Sequence, residues 1–170
     1  MRNIVLIGFM GTGKTSVGHV LAERLGLAFV DMDASIEERE GRPITEIFAT
    51  DGEPYFRTVE RAVVQELATK DGLVIGTGGG VVLDPDNISD FSATGLVVCL
   101  QATPETILER VAHDTNRPLL AGDDKMQKIL GILDKRRHLY AALPHQVDTN
   151  GLTVDDVAEM IVALYEGPDD

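Results

Sequence analysis

The chain predicts an α/β fold in three layers, αβα, around a central five-stranded parallel sheet. Three observations carry this expectation. Short apolar runs recur along the chain, segments with apolar residues at helical spacing separate them, and the first run passes through a glycine loop straight into a helical pattern. Strands that alternate with helices imply a mostly parallel sheet covered on both faces. In such folds ligands bind beyond the carboxyl ends of the strands.

Asn3 to Phe9 is a continuous apolar run ending in a glycine loop, the pattern of a strand buried on both faces, and it is expected at the centre of the sheet. From Lys14 to Leu25, Val17, Val20, Leu21 and Leu25 fall at helical spacing, with Gly18 and Ala22 leaving room for close packing. Further strands are predicted at Ala28 to Asp33, Leu73 to Thr77, Gly95 to Gln101 and, more weakly patterned, His145 to Thr149. Thr103, Pro104 and Glu105 open one helix as N-cap, first-turn proline and dipole-matched acid. Another starts at Thr153 with Asp156 three residues on, places Val157, Ile161, Val162 and Tyr165 near one face, and stops at Gly167 and Pro168. Two segments break the rhythm. Ala34 to Lys70 reads as a long helical stretch interrupted at Gly41 to Pro43 and at Gly52 to Pro54, and His113 to Asp124 has no periodic apolar face, which predicts a loop.

A chain of 170 residues is expected to form one domain, residues 1–170. Its formal net charge of −13 repels phosphate backbones and anionic headgroups, so neither nucleic acid nor a membrane is expected as a partner. The same mean field means that any arginine cluster around an anionic ligand has to be built locally. The one cysteine, Cys99, lies in the apolar run Leu96 to Leu100 and reads as a buried thiol, which fits a reducing cytoplasm. The apolar stretch Ile4 to Met10 lacks a small-residue cleavage site after it, and a cytoplasmic location is expected.

Gly8-Phe9-Met10-Gly11-Thr12-Gly13-Lys14-Thr15 matches G-x-x-x-x-G-K-[ST] between a predicted strand and a predicted helix. In that setting backbone N–H groups from Gly11 through Ser16 converge on phosphate oxygens. The helix N-terminus adds positive potential, Lys14 neutralises the outer phosphates and Thr15 offers its hydroxyl to Mg2+. Asp31 and Asp33 close the second predicted strand, and alternation would put both carboxylates on one side of its end. Asp31 is assigned to Mg2+ or its waters and Asp33 to orienting an attacking hydroxyl; the competing reading is a pair of helix-capping aspartates. Gly76 to Gly80, after the third strand, contains a glycine run that would bring bare backbone up to whatever fills the cleft, unless it is a plain turn. Arg117, in an Asn-Arg-Pro loop, is a candidate to stabilise a transferring phosphoryl group. Arg57 and Arg136 are far apart in sequence and, taken singly, read as surface arginines. The histidines show no ligand spacing.

These motifs, taken in order with Gly41-Arg42-Pro43-Ile44, Asp51-Gly52-Glu53 through Phe56-Arg57 to Glu60, Arg117-Pro118-Leu119-Leu120 and Lys135-Arg136 with Leu139-Tyr140, resemble the shikimate kinase family among the nucleoside-monophosphate-kinase-like P-loop kinases. The resemblance spans nearly the whole chain. It implies transfer of the ATP γ-phosphoryl group to the 3-hydroxyl of shikimate, with Mg2+, by an ATP-dependent kinase of aromatic amino acid biosynthesis. It further implies that Arg57 and Arg136 hold the substrate carboxylate, that Asp33 and the Gly79 backbone hold ring hydroxyls, that Arg110 lies near adenine, and that Lys14 and Arg117 act with Asp33 in catalysis. A substrate-binding insertion at about 34–62, a lid at about 113–124 and a monomeric state are expected on the same ground. Asn150 to Val154 depart from the family by lacking the Arg and Pro that some relatives place beside the base. Two alternatives stand beside this reading: another small-metabolite or nucleotide P-loop kinase, and a nucleotide-binding module without catalysis.

Overall fold

The protein is described in a computed structural model covering residues 1–111 and 124–167. Five parallel strands form one sheet: β1 (Asn3–Gly8), β2 (Ala28–Asp31), β3 (Leu73–Gly76), β4 (Gly95–Gln101) and β5 (Gln146–Asp148). Their order is β2-β3-β1-β4-β5, so the first apolar run is the central strand. Val5 stands opposite Ile75 on one side and Val97 on the other.

Alternation along β1 divides the core in two. Ile4 and Leu6 pack with Val17 and Leu21 of α1 (Lys14–Leu25) and Val157 and Ile161 of α8 (Val154–Glu166). Val5 and Ile7 face a larger cluster holding Phe56 and Val63 of α4 (Gly52–Ala68), Phe91 of α5 (Pro85–Thr94) and Ile129 of α7 (Lys125–Ala141). Ile4 to Ile7 are all at 0% exposure, and each such side chain contributes roughly 1.5–3 kcal/mol on burial. These clusters fix the strand ends, and with them the cleft above Gly8, Asp31 and Gly76.

Local signals place the remaining helices: α2 (Met32–Glu40), α3 (Ile44–Thr50) and α6 (Pro104–Val111). The Thr103 hydroxyl accepts from the Thr106 N–H at 3.3 Å at the start of α6, and Thr153 and Asp156 form a reciprocal capping box on α8. Gly41 ends α2 in the left-handed region, φ 68°. Beyond one-residue differences at the ends of β1, β3 and β5, three features differ from the sequence reading. β2 stops at Asp31 instead of Asp33, because the Asp31 carboxylate accepts from the N–H groups of Asp33 and Ala34 at 3.0 and 3.3 Å and starts α2 there. Gly52 and Pro54 lie in the first turn of α4, where a proline costs no hydrogen bond, and the break from α3 falls at Asp51. α5, which the sequence reading did not place, begins with an Asp84 cap and Pro85. Among the described residues no helix is long and apolar enough to cross a membrane.

Candidate active site

The loop from β1 to α1 has the geometry its glycines permit. Gly11 and Gly13 have φ of 76° and 95°, a region that side-chain-bearing residues rarely adopt. Gly13 is the N-cap of α1 and supplies no side-chain cap, so the N–H groups of the first turn are presented to the cleft at the positive end of the helix. No acidic residue occupies that turn. The buried Thr12 hydroxyl donates to the Phe9 carbonyl at 2.7 Å and pins the loop, and Lys14 Nζ arches over it, donating to Gly8 O at 2.5 Å and Phe9 O at 3.1 Å. Thr15 and Ser16 are exposed.

Facing this loop across a polar cleft of about 330 Å³ are Asp31, Asp33, Gly78 and Gly79. The structure therefore brings both aspartates to the phosphate loop, but not by strand alternation. Asp31 is the last residue of β2 and caps α2, as the competing reading had it, whereas Asp33 sits in the first turn of that helix. The cap uses Oδ1 of Asp31. Among the described residues no cluster of three or more His, Cys, Asp or Glu side chains could cage a metal. A hydroxyl and a single carboxylate beside a phosphate site suit Mg2+, which keeps its waters and takes phosphate oxygens as ligands.

The glycine run forms the other wall, and its lack of side chains is what lets charged groups close in. A Cβ on Gly78 would meet Asp33 Oδ1 at 2.9 Å and Glu60 Oε2 at 3.4 Å; one on Gly79 would meet Arg136 Nη1 at 3.4 Å; one on Gly80 would meet both terminal nitrogens of Arg57 at 2.4 Å. Arg57 and Arg136, distant in sequence and ordinary taken alone, thus converge on neighbouring glycines together with Asp33. Arg136 is 5% exposed. Arg57 turns Nη1 to Glu60 at 3.1 and 3.3 Å and Nη2 to Glu53 at 3.4 Å, while its buried Nε has no hydrogen-bond partner among the described residues. A buried N–H donor without a partner among the described residues is costly unless another group satisfies it.

Sequence reasoning gave no role to three residues around this wall. Glu60 is 1% exposed, and burial pushes its carboxyl up to about 7, with Arg57 pulling down and Asp33 pushing up. The signal was legible: Phe56, Val59, Val63 and Leu67 form the buried stripe of α4, and Glu60 falls within it. Tyr140 on α7 donates its hydroxyl to the Gly79 carbonyl. Asn87, 2% exposed, donates to Val81 O at 3.0 Å and accepts from Arg61 at 3.0 Å, which ties the turn after the glycines to α4.

On the far side of the phosphate loop Arg110 donates to Gly11 O at 2.8 Å and reaches Thr149 Oγ1 at 3.4 Å. It borders a cavity of about 180 Å³ with Ser16, Thr149, Leu152 and Val154. Leu152, Thr153 and Val154 of the departing segment line it, and that segment brings neither an arginine nor a proline to it. Arg117 and residues 113–123 of the expected lid lie outside the described residues. The exposed His19 sets its ring against that of Phe29, with centroids 4.2 Å apart and planes tilted by 47°.

A parallel sheet with a phosphate loop at the end of its central strand, and a glycine wall approached by two arginines and an aspartate opposite, is the layout of a P-loop kinase. The shikimate kinase family model matches residues 10–166. The chain is 46% identical over 166 residues to the shikimate kinase of Thermodesulfovibrio yellowstonii, covering 98% of this chain and 96% of that one, and 43% identical to that of Geobacter metallireducens over 98% and 93%. The solved structure of shikimate kinase from Acinetobacter baumannii in complex with shikimate matches with a TM-score of 0.92 at 40% identity, covering 96% of this chain and 92% of that one. The chain belongs to the shikimate kinase family, ATP-dependent phosphotransferases that act on an alcohol group. A gluconokinase from Sinorhizobium meliloti, at 23% identity and a TM-score of 0.59, shares the fold alone.

Proposed function

We propose that this protein transfers the γ-phosphoryl group of ATP to the 3-hydroxyl of shikimate, giving shikimate 3-phosphate and ADP on the route to chorismate and the aromatic amino acids. The observation that carries the reading is the convergence of Arg57, Arg136 and Asp33 on Gly78 to Gly80, within the cleft that also holds Lys14. A small acid with ring hydroxyls matches that wall: its carboxylate between two guanidinium groups, its hydroxyls against Asp33 and the bare backbone at Gly79. The Arg57 Nε, without a partner among the described residues, is a donor such a carboxylate would satisfy.

Gly11, Thr12, Gly13, Lys14, Thr15 and Ser16 cradle the nucleotide phosphates, with Lys14 swinging from the loop carbonyls to the outer phosphates. Thr15 and Asp31 would hold Mg2+, which neutralises charge on the phosphate oxygens when it is bound with the nucleotide. Asp33 aligns the attacking hydroxyl and accepts its proton as the new P–O bond forms. Arg110 borders the base, and the family resemblance assigns Arg117 to the transferring phosphoryl group on a lid at about 113–124, with the acceptor wall supplied by an insertion at about 34–62. A reducing cytoplasm, a monomer and no nucleic-acid or membrane partner complete the reading, supported by the buried thiol of Cys99 and the net charge of −13.

The test is an ADP-release assay with Mg-ATP and one acceptor at a time. Shikimate is expected to drive turnover. Turnover with gluconate or a nucleoside monophosphate and none with shikimate would reject the acceptor, and ATP binding without any transfer would favour a nucleotide-binding module.

A further inference from the structure

Tyr140 lies outside every role assigned above, yet it touches two of the groups proposed to hold the acceptor. Its hydroxyl donates to the Gly79 carbonyl. Arg136, one helical turn earlier on α7, interacts with the same hydroxyl and also packs Nη1 within 3.4 Å of where a Gly79 Cβ would stand. A single phenol oxygen thus joins the guanidinium and the backbone that together face the acceptor. In a planar trans peptide, holding the Gly79 carbonyl on one side turns the Gly80 N–H to the other. The hydroxyl therefore sets the orientation of bare backbone in the binding wall. The Gly78 carbonyl is fixed separately, accepting from Val81 N–H at 3.2 Å.

Tyr140 belongs to the larger core cluster, but its packing there is not complete. It borders an apolar cavity of about 260 Å³ shared with Phe9, Ile107 and Leu133. A ring without its tether has room to move, and Arg136 loses a fixed neighbour with it. The residue is 6% exposed, and burial pushes the phenol up to about 12 against the pull of Arg136, so the hydroxyl remains protonated and able to donate throughout the working range.

We propose that Tyr140 is a positioning residue of the acceptor site, its hydroxyl locking Gly79 and Arg136 into one arrangement that reads the acceptor's carboxylate and ring hydroxyls. The inference rests on the acceptor reading given under Proposed function. Tyr140 itself touches neither the nucleotide nor the reacting atoms, so its loss is felt in acceptor binding and not in the phosphate loop.

The experiment compares wild type, Tyr140→Phe and Tyr165→Phe. Tyr165 is a matched control, because its hydroxyl donates to the Arg2 carbonyl at 2.9 Å at the opposite end of the sheet. Each variant loses one hydrogen bond to a backbone carbonyl, Tyr140→Phe losing the Arg136 contact as well, so thermal stability is expected to fall in both. Tyr140→Phe is expected to raise the KM for shikimate about five- to tenfold, the effect of one lost hydrogen bond, with the KM for ATP unchanged and kcat within about threefold. Tyr165→Phe should change none of the three. A shikimate KM within twofold of wild type, or a parallel loss in ATP KM and kcat, overturns the proposal. Wild type provides a second readout that needs no variant. The chain has three tyrosines, and 13Cζ-tyrosine NMR should show the Tyr140 signal moving on shikimate binding while that of Tyr165 stays; a stationary Tyr140 signal overturns the proposal as well. Absence of shikimate-dependent turnover in wild type would instead defeat the acceptor assignment, a failure separate from that of the tether.

Discussion

Glu60 gives the prediction whose magnitude follows most directly from the structure. A carboxyl at 1% exposure is held at about 7 against an ordinary 4.5, chiefly because burial removes solvation from the charged form; Arg57 recovers part of that loss and Asp33 adds to it. Protons therefore bind the folded state more tightly than the unfolded one. The stability this contributes is fully present below about pH 4.5 and is lost as pH rises through 7. Each pKa unit corresponds to about 1.4 kcal/mol, so the whole effect is about 3 kcal/mol, of which about 2.5 kcal/mol falls between pH 5 and pH 8. Glu60→Gln keeps the shape and removes the titration. Urea unfolding of both proteins across that range cancels the other carboxylates in the difference, and the pH-independent change in the Arg57 contact becomes a constant offset. The stability of wild type relative to Glu60→Gln should fall by about 2.5 kcal/mol from pH 5 to pH 8. Parallel curves would refute the reasoning, since they would mean that Glu60 titrates alike in both states.

Asp33→Asn should lower kcat by about a hundredfold or more while ATP binding, measured by calorimetry, is retained; an unchanged rate would remove Asp33 from the chemistry. Gly80→Ala places a Cβ 2.4 Å from the Arg57 guanidinium, and because the end of that side chain is what must yield, the shikimate KM should rise about tenfold with little change for ATP. Equal KM values in steady-state assays would show that Arg57 does not depend on that space. The Cys99 thiol, buried and raised to about 11, should resist a disulfide reagent in the native protein and react only on unfolding in urea; rapid native labelling would contradict its burial.

Much of the fold was legible because the core is built from uninterrupted patterns. β1 reads as buried on both faces, its centrality follows, and the starts of α1, α6 and α8 are written in glycine and capping residues. What misled was the strand period at Asp31 to Asp33: a side chain that caps the next helix ends the strand two residues early, and cap competition is invisible to alternation. The phosphate loop is local, and its place between β1 and α1 was legible in the sequence. The acceptor wall is not local. Arg57 on α4 and Arg136 on α7 meet only because both helices pack on the same face of the sheet as the glycine run, so spacing held no trace of it. Glu60 could have been found from the buried stripe of α4, whereas Tyr140 and Asn87 each donate to a backbone carbonyl, which has no sequence identity to read.

The central claim is spatial, and a crystal structure with shikimate and a non-hydrolysable Mg-ATP analogue tests it most directly. The account predicts the acceptor carboxylate bridging Arg57 and Arg136, with the 3-hydroxyl within hydrogen-bonding distance of Asp33 and in line with the terminal phosphate above Lys14. An acceptor bound away from Gly78 to Gly80, or one whose 3-hydroxyl points away from the nucleotide, would contradict it.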